Sequence, residues 1–363
     1  MTIFSKYAER RWGKVRAILT NSPSLQFIIR NGNFSLQKIS ARFRNKVKMN
    51  LYSKQDLDRL ASETNFIRDN LEKALRLCNI LEYFGENPLL LKSLALKGGT
   101  AINLMIFDLP RLSVDIDLDF AIPCHREEML AIRRKINREI ITYMSTQGYI
   151  LSPGTKNPHS LDSWVFYYRN VVNNKDNFKI EVNYSLRNHI FPLVMMNTSV
   201  DFLPQLKIQV LSPIELFGSK IKALIERSAT RDLYDVHKML TIKIFDKQDF
   251  EMLRKTVLFY LAVGDSKKLE ENYSFESIKK LKFSHIRSTL LPVLRKNEHF
   301  DFENAKEEII NFLQSLLIFT SDEKNFIREF NNNHYCPELL FDDPLIIERI
   351  KHHPMAKWKI KDK

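Results

Sequence analysis

Hydrophobic and polar positions follow two different periods along the chain, and the period changes after Pro88. Residues 52–88 place apolar side chains at helical spacing and end at Gly85 and Pro88, as helices often do. Residues 89–98 are a short apolar run that period alone does not distinguish from a buried helix, but the glycine at its end favours a strand leading into a tight turn. Residues 112–122 (LSVDIDLDFAI) alternate strictly and predict a half-buried strand.

The rest of the chain predicts further strands and then only helices. The expected elements are a helix over residues 100–107, a helix over 124–147, a hairpin over 164–186 around NNKDN, and a strand over 206–211. SPIE at 212–215 combines an N-cap serine, a proline at the first helical position and a glutamate in the capping-box position, so a helix begins there. TRDLYDVHKML predicts the next helix, and from residue 247 onward the pattern is helical.

This order of elements predicts an α+β fold. The low glycine content, 9 glycines in 363 residues, favours a helix-rich globular protein over a β-sandwich or a barrel. The chain is longer than a usual single domain. We expect a basic N-terminal helical extension over residues 1–50, a sheet-containing domain over 51–211 and a helical C-terminal domain over 212–363.

The positive charge is concentrated at the N-terminus. The chain has a net charge of +13, and residues 1–50 contain eleven Lys or Arg and one acidic residue, Glu9. Such a block suits an anionic partner, with nucleic acid ahead of a membrane surface or an acidic protein, although a solvated helix surface is the structural alternative.

Cysteine spacing and hydropathy exclude several classes of protein. The three cysteines, Cys78, Cys124 and Cys336, form neither a disulfide framework nor a C-x-x-C zinc pair and are typical of a reducing cytoplasm. The N-terminus lacks an apolar stretch of signal-peptide length, and the longest apolar run, residues 257–263, is too short to span a bilayer. We therefore expect a cytoplasmic protein without a membrane segment. His352 and His353 adjoin a basic tail and are predicted at the surface.

Three aspartates at alternate positions, Asp115, Asp117 and Asp119, lie on one face of the strand predicted over LSVDIDLDFAI. Carboxylates two residues apart on a strand point to the same side, so they can jointly hold a hard divalent cation such as Mg²⁺. Two such ions would stabilise the attacking and leaving oxygens of a phosphoryl displacement. Glu181, which shares a predicted strand face with Lys179, is the best candidate for a third acidic ligand or for the group that takes the proton of the attacking hydroxyl.

Two adjacent glycines, Gly98 and Gly99, precede the helix that opens at Thr100. A Gly-Gly turn before a helix exposes backbone N–H groups that bind phosphate oxygens, and a side chain there would block the approach. These three residues predict a cradle for a triphosphate, to which Lys220 and Arg227 would add positive charge.

Each of these features also has a purely structural interpretation. An Asp-x-Asp pair is often a solvated strand face, a glycine pair is often a tight turn, and Lys179 with Glu181 would fit a cross-strand pair. Asp232 and Asp235, one helical turn apart, would fit an ordinary helix surface or charge that complements the helix dipole. An EF-hand is excluded, because Phe120 occupies its glycine position.

The motifs in combination resemble a known superfamily. LKGGTAINL followed by RLSVDIDLDF is similar to the first motif of the DNA polymerase β-like nucleotidyltransferases. Together with KIEVNYS, SPIELFGSKIKALIERSATRDLYDVHKM and HPMAKWK, these motifs resemble the AbiEii-type toxin nucleotidyltransferases of bacterial type IV toxin–antitoxin and abortive-infection systems, from about residue 55 to 363. The resemblance implies a polymerase β-like palm, a mixed sheet flanked by helices, followed by an α-helical C-terminal domain.

The resemblance also implies a role for each matching residue. It assigns Gly98, Gly99 and Ser113 to the nucleotide phosphates, Asp115 and Asp117 to Mg²⁺, Lys220 to the vicinity of the triphosphate, and Asp232 or Asp235 to structural or catalytic support. Two features depart from the family pattern: many relatives have Gly-Ser at the glycine pair, and the spacer over residues 100–114 is longer than in minimal relatives. Both departures leave open which hydroxyl meets the phosphate.

The leading hypothesis is a Mg²⁺-dependent nucleotidyltransferase that moves a nucleotide from an NTP to RNA, for some relatives the 3′ end of tRNA, and that an antitoxin protein neutralises. One alternative is a small-molecule, antibiotic-type nucleotidyltransferase, whose cationic acceptors suit the basic N-terminus poorly. The other is a non-catalytic nucleic-acid-binding module. Asp117→Asn separates these classes, because only an enzyme loses its activity while the fold is retained.

Overall fold

The structure is a computed structural model, and it describes residues 52–153, 155, 160–198, 200, 202–264 and 268–361. The helical extension predicted over residues 1–50 lies outside these described residues.

Helices and strands alternate in the first part of the described chain. Its elements are α1 (Lys54–Thr64), α2 (Arg68–Glu86), α3 (Pro88–Ser93), β1 (Leu94–Lys97), α4 (Gly98–Ala101), a π-helical turn (Ile102–Ile106), β2 (Ile116–Phe120), α5 (Arg126–Thr146), β3 (Ile150–Leu151), β4 (Leu161–Arg169), β5 (Lys175–Asn183), β6 (Val194–Asn197) and β7 (Lys207–Val210).

The described elements after β7 are all helical. They are α6 (Pro213–Arg227), α7 (Thr230–Thr241), α8 (Phe250–Val263), α9 (Glu276–Lys279), α10 (Phe283–Thr289), α11 (Phe302–Leu316), α12 (Ser321–Asn331), α13 (Pro344–Ile350) and α14 (Pro354–Lys361), with 3₁₀ turns at Lys247–Asp249, Leu291–Val293 and Pro337–Leu339.

The strands of the described chain form one mixed sheet in the order β3-β4-β5-β2-β1-β7-β6. β4 and β5 are the predicted antiparallel hairpin, whereas β2 runs parallel to β5 and β1 runs parallel to β7. A mixed sheet followed by helices confirms the predicted α+β fold.

The register of the central strands places the conspicuous polar residues in one row. Lys97 at the end of β1 is opposite Asp117 in the antiparallel β1–β2 pair, and Asp117 is opposite Glu181 in the parallel β2–β5 pair. The glycine pair follows Lys97 directly, so it lies at the same edge of this row.

The run over residues 89–98 is a strand only in its second half. Pro88 begins α3 instead of ending the preceding helix, because the Asn87 side chain accepts hydrogen bonds from the N–H groups of Leu89 and Leu90 at 3.0 and 3.1 Å. β2 is also shorter than predicted, and Asp115 precedes it.

The capping box expected at the start of α6 is only half present. Ser212 accepts from the N–H of Glu215 at 3.3 Å, as an N-cap does. The buried Glu215 side chain does not return to the cap; it accepts from the N–H groups of Ile190 and Phe191 at 2.7 and 3.2 Å and from the Tyr260 hydroxyl at 3.0 Å. Glu215 therefore ties α6 and α8 to the loop after β5.

The hydrophobic core is continuous between the sheet and the C-terminal helices. The rings of Phe107 and Phe217, for example, pack with centroids 5.8 Å apart. The surface position predicted for His353 is wrong, because its side chain is buried and packs edge-on against Phe259, whereas His352 is exposed. None of the described helices is both long and apolar enough to span a bilayer.

Candidate active site

The glycine pair lies in close contact with the predicted acidic site. Gly98 has φ +69°, and a Cβ on it would lie 2.6 Å from Oδ2 of Asp117. A Cβ on Gly99 would lie 2.7 Å from Nη2 of Arg111 and 3.3 Å from Oγ of Ser113. Only glycine allows this backbone conformation together with this close approach. The pair is therefore part of the site and not a simple surface turn.

Thr100 holds the segment that leads into β2. Its buried hydroxyl lies 2.8 Å from Oγ of Ser113 and donates a hydrogen bond to the carbonyl oxygen of Asp115. The backbone N–H of Lys179 in turn donates to Oδ1 of Asp115 at 3.3 Å. The hydroxyl of Thr100 is thus engaged within the protein, and Ser113 is the more exposed of the two residues.

Asp117 is a carboxylate in an unfavourable electrostatic environment. Burial raises its pKa, and the negative charges of Asp115 and Glu181 act in the same direction, whereas Lys97 opposes them. Carboxylates crowded in this way bind a hard divalent cation well, because the cation removes the repulsion between them. Asp115 and Asp117 therefore suit a divalent metal ion.

Glu181 is opposite Asp117 on the neighbouring strand, but its carboxylate does not form a cluster with those of Asp115 and Asp117. Its Oε2 lies 2.9 Å from Nζ of Lys179, two residues along the same strand, so the two form an ion pair within β5 and not a pair across strands. Within the described residues, no three His, Cys, Asp or Glu side chains lie close enough together to hold a metal ion. The structure thus brings Glu181 to the site without assembling a three-carboxylate set.

Asp119, the third aspartate of the motif, has a different environment. It is buried, with Oδ1 2.5 Å from Nζ of Lys97 and Oδ2 3.7 Å from Nε2 of His189. Burial alone would raise the pKa of Asp119, but the neighbouring Lys97 and His189 lower it. The interpretation of Asp119 as part of a solvated strand face is therefore wrong. Its carboxylate instead holds the Lys97 side chain beside the site.

A buried ion pair between Arg111 and Asp235 supports the glycine turn. Nε and Nη2 of Arg111 donate to the two carboxylate oxygens of Asp235 at 2.8 and 2.6 Å, and both side chains are inaccessible to solvent. Asn103 donates to the same carboxylate at 3.2 Å and to the carbonyl oxygen of Gly99 at 2.9 Å. The turn is therefore connected to α7 through two side chains.

Sequence reasoning did not assign a role to Arg111 or Asn103. Arg111 lies inside the motif RLSVDIDLDF, and a single arginine shortly before clustered aspartates is the one signal that points to it. Asn103 has no comparable signal, because a single asparagine in an apolar run fits many roles.

Asp232 and Asp235 of α7 are buried, so their interpretation as ordinary helix surface is wrong. Nζ of Lys220 lies 2.9 Å from Asp232 and 3.2 Å from Asp235, and Nε of Arg227 lies 2.7 Å from Asp232. Burial alone would raise the pKa of Asp232, but the positive charges of Lys220 and Arg227 lower this pKa to about 2. The Arg227 side chain is still 64% exposed, so its charge remains accessible to a ligand.

Residues 80–324 match the model of a family described as the nucleotidyl transferase AbiEii toxin of type IV toxin–antitoxin systems. This range contains every predicted site residue, from Gly98 to Asp235. No match to the chain is found among curated proteins. Among solved structures, the chain is similar to MenT4, a nucleotidyltransferase toxin from Mycobacterium tuberculosis H37Rv, with a TM-score of 0.56 and 14% identity over 86% of this chain and 99% of that chain. At this identity the similarity shows a shared fold.

Proposed function

The chain belongs to the AbiEii family of nucleotidyltransferase toxins, and from this we propose that it transfers a nucleotide from an NTP to RNA, with tRNA as the first acceptor to test, in a Mg²⁺-dependent reaction that inhibits growth. One observation carries the proposal: Gly98 lies directly against Asp117, the middle residue of the row formed by Lys97, Asp117 and Glu181 across the central strands. The close contact supports the proposal that the glycine turn holds phosphate beside carboxylates that hold a metal ion.

Asp115 and Asp117 would hold the Mg²⁺. The bound ion would supply charge neutralisation for the phosphate groups. The backbone N–H groups of Gly98 and Gly99, together with the half-buried Ser113, would bind the triphosphate.

The remaining predicted residues divide into two groups. Glu181 reaches solvent, with a side chain 25% exposed, and we assign to it the proton of the attacking hydroxyl or a second metal ion. Exposed Arg227 would contact the triphosphate. Lys220, Asp232 and Asp235 form a buried network, so their contribution is to position α6, α7 and the glycine turn.

The proposed toxin would be controlled by a separate antitoxin protein and would act in a reducing cytoplasm. The three cysteines are all free thiols, which agrees with such a compartment. Growth arrest on induction, reversed by a gene that adjoins this one and encodes a short winged-helix protein, would support the pairing with an antitoxin. Unrestricted growth on induction of the wild-type protein would contradict it.

The direct test is to incubate the purified protein with Mg²⁺, total tRNA and each α-³²P-labelled NTP in turn. Wild-type protein and the control variant Asp322→Asn, which changes an exposed aspartate of α12, should label RNA with the same nucleotide. Asp117→Asn should label none while its circular dichroism spectrum is retained, because the metal ligand is lost and the fold is not. Equal labelling by Asp117→Asn, or no labelling with any NTP and RNA, would contradict the proposed function.

A further inference from the structure

A strongly basic surface segment lies in the helical half of the protein. Residues 277–297 contain six lysines or arginines and no acidic residue. Five of these side chains are exposed, and no ion pair within the described part of the chain involves them: Lys279, Lys280, Lys282, Arg287 and Lys296. The flanking Glu298 is already paired with Lys238 at 2.9 Å. The exposed Glu276, directly before the segment, offsets only part of this charge, so the segment keeps an excess of positive charge.

The same segment exposes large apolar side chains. Phe283 is 59% exposed at the start of α10, directly after Lys282, and Leu291 is 43% exposed at the other end of the helix. Most phenylalanines of the described chain are buried, so an aromatic ring in water beside lysines is unusual here. This combination binds single-stranded nucleic acid, because the lysines attract phosphates while a base stacks on the ring.

The segment is hydrogen-bonded directly to the loop that leads into the active site. The N–H of Leu112 donates to the carbonyl oxygen of Val293 at 2.7 Å, and Nε of Arg295 donates to the carbonyl oxygen of Leu109 at 3.1 Å. Ser113 and Asp115 follow Leu112 along the chain. The C-terminal end of the segment therefore adjoins the loop that carries Asp115.

A second connection joins the segment to α7. The hydroxyls of Thr289 and Thr230 lie 2.6 Å apart, and Thr230 is two residues before Asp232. The segment is thus attached both to the loop before β2 and to α7. These two attachments give it a defined position relative to the candidate active site.

We propose that residues 277–297 are the docking surface for the single-stranded end of the RNA acceptor. This inference rests on the proposed function, because it identifies where the acceptor of that reaction binds. An acidic protein would meet the same charges. RNA is favoured because the acceptor hydroxyl must reach Asp115 and Asp117, and this segment adjoins their loop.

The test separates the charge from the ring. Lys280→Gln with Lys282→Gln removes two positive charges, and Phe283→Ala removes the ring. Matched controls elsewhere on the surface are Lys247→Gln with Lys324→Gln, two exposed lysines without ion pairs in the described chain, and Trp358→Ala, an aromatic ring 54% exposed on α14. Because all of these side chains are exposed, we expect the variants to keep the wild-type melting temperature. An unchanged melting temperature then establishes that each variant folds.

The measured quantities are the Kd for tRNA over a series of KCl concentrations and the KM for tRNA in the transfer assay. The double lysine variant should reduce the slope of log Kd against log salt by about 1.4, since each phosphate contact on a single strand contributes about 0.7. Phe283→Ala should raise Kd and KM about tenfold without changing the slope, as loss of base stacking does. Both variants should keep the wild-type kcat at saturating tRNA and the wild-type affinity for NTP, and both controls should behave as wild type.

Wild-type Kd, slope and KM in both segment variants would overturn the docking surface. Loss of antitoxin binding with unchanged tRNA binding would overturn it in favour of a protein interface. If wild-type protein labels no RNA at all, the proposed function fails, and the binding isotherms still decide whether the segment binds RNA.

Discussion

Asp117 and Asp119 are two residues apart on β2, and their environments have opposite effects on ionisation. Burial and neighbouring carboxylates raise the pKa of Asp117, whereas Lys97 and His189 overcome burial and lower the pKa of Asp119. The ionised form of Asp117 therefore destabilises the metal-free fold at neutral pH, and the ionised form of Asp119 stabilises it. One strand thus presents two aspartates on the same face, of which we propose Asp117 as a metal ligand and Asp119 as a structural group.

We expect Asp117→Asn and Asp119→Asn to shift the melting temperature in opposite directions in metal-free buffer. Asp117→Asn should raise it, because the amide removes a destabilised charge, and should abolish the further increase that MgCl₂ produces in the wild-type protein. Asp119→Asn should lower the free energy of unfolding by about 3 kcal/mol, because it leaves Lys97 without its partner. Thermal unfolding with and without MgCl₂ measures both effects, and a magnesium-dependent increase that persists in Asp117→Asn would contradict the metal assignment.

A second prediction at the residue scale concerns pH. The pKa of Asp232 is lowered from 3.8 to about 2, so its ionised form contributes about 2 kcal/mol of stability. Because the folded-state pKa is the lower one, this contribution is present above about pH 4 and is lost as the pH falls to about 2. Urea unfolding from pH 5 to pH 2 should show a difference between wild type and Asp232→Asn that narrows by this amount, and a constant difference would contradict the assignment.

At the scale of elements, the site depends on how the turn between β1 and α4 meets β2. The turn is stabilised from outside: Asn103 binds the Gly99 carbonyl oxygen, and Arg111 occupies the space beside Gly99. Two glycines of the described chain have positive φ, Gly98 at +69° and Gly148 at +77°, but only Gly98 has a neighbour where a Cβ would lie. Comparing Gly98 with Gly148 therefore separates the effect of backbone strain from the effect of steric contact with the site.

We therefore expect Gly98→Ala and Gly148→Ala to share the cost of a left-handed backbone but to differ in activity. The left-handed conformation costs an L-residue about 1–2 kcal/mol at both positions. Only Gly98→Ala displaces the carboxylate of Asp117, so its kcat should fall at least about tenfold while Gly148→Ala keeps the wild-type kcat. Melting temperatures and transfer kinetics of the two variants test this, and equal kcat values would show that the turn tolerates the methyl group.

At the scale of the whole molecule, contacts join the residues before and after position 211. Arg111 pairs with Asp235, Glu215 binds the backbone of Ile190, and Leu112 binds the backbone of Val293. The division into a nucleotidyltransferase domain over 51–211 and a helical domain over 212–363 stays a prediction. These buried contacts favour a single folding unit across it.

We expect the two halves to unfold in one transition. Fluorescence of Trp164, buried in the sheet, and far-UV circular dichroism, dominated by the helices, should give the same urea midpoint in the double variant Trp12→Phe with Trp358→Phe, which leaves Trp164 as the single tryptophan of the chain. A fragment that ends at residue 211 should not fold, because Arg111 would be buried without a partner. Two separate midpoints, or a folded fragment, would instead establish independent domains.

Local patterns in the sequence were sufficient for the elements and for the first motif. Alternation and helical spacing predicted β2, α5 and the β4–β5 hairpin, because side-chain period follows directly from backbone geometry. The glycine pair and the aspartates indicated a polymerase β-like nucleotidyltransferase, the further motifs indicated the AbiEii type, and the family match confirms that resemblance. The elements and the first motif each lie within a few tens of residues, where spacing alone determines which side chains share a face.

Only the tertiary structure decided the partners of the charged groups. Asp235 pairs with Arg111, 124 residues away, and Glu215 leaves its predicted cap to bind the backbone of Ile190. Burial of His353 likewise follows from the packing of α8 and α14. No sequence pattern near His353 indicates it. The physical reason is that the cost of burying a charge is offset only by a partner that folding brings close, and no local period records which partner that is.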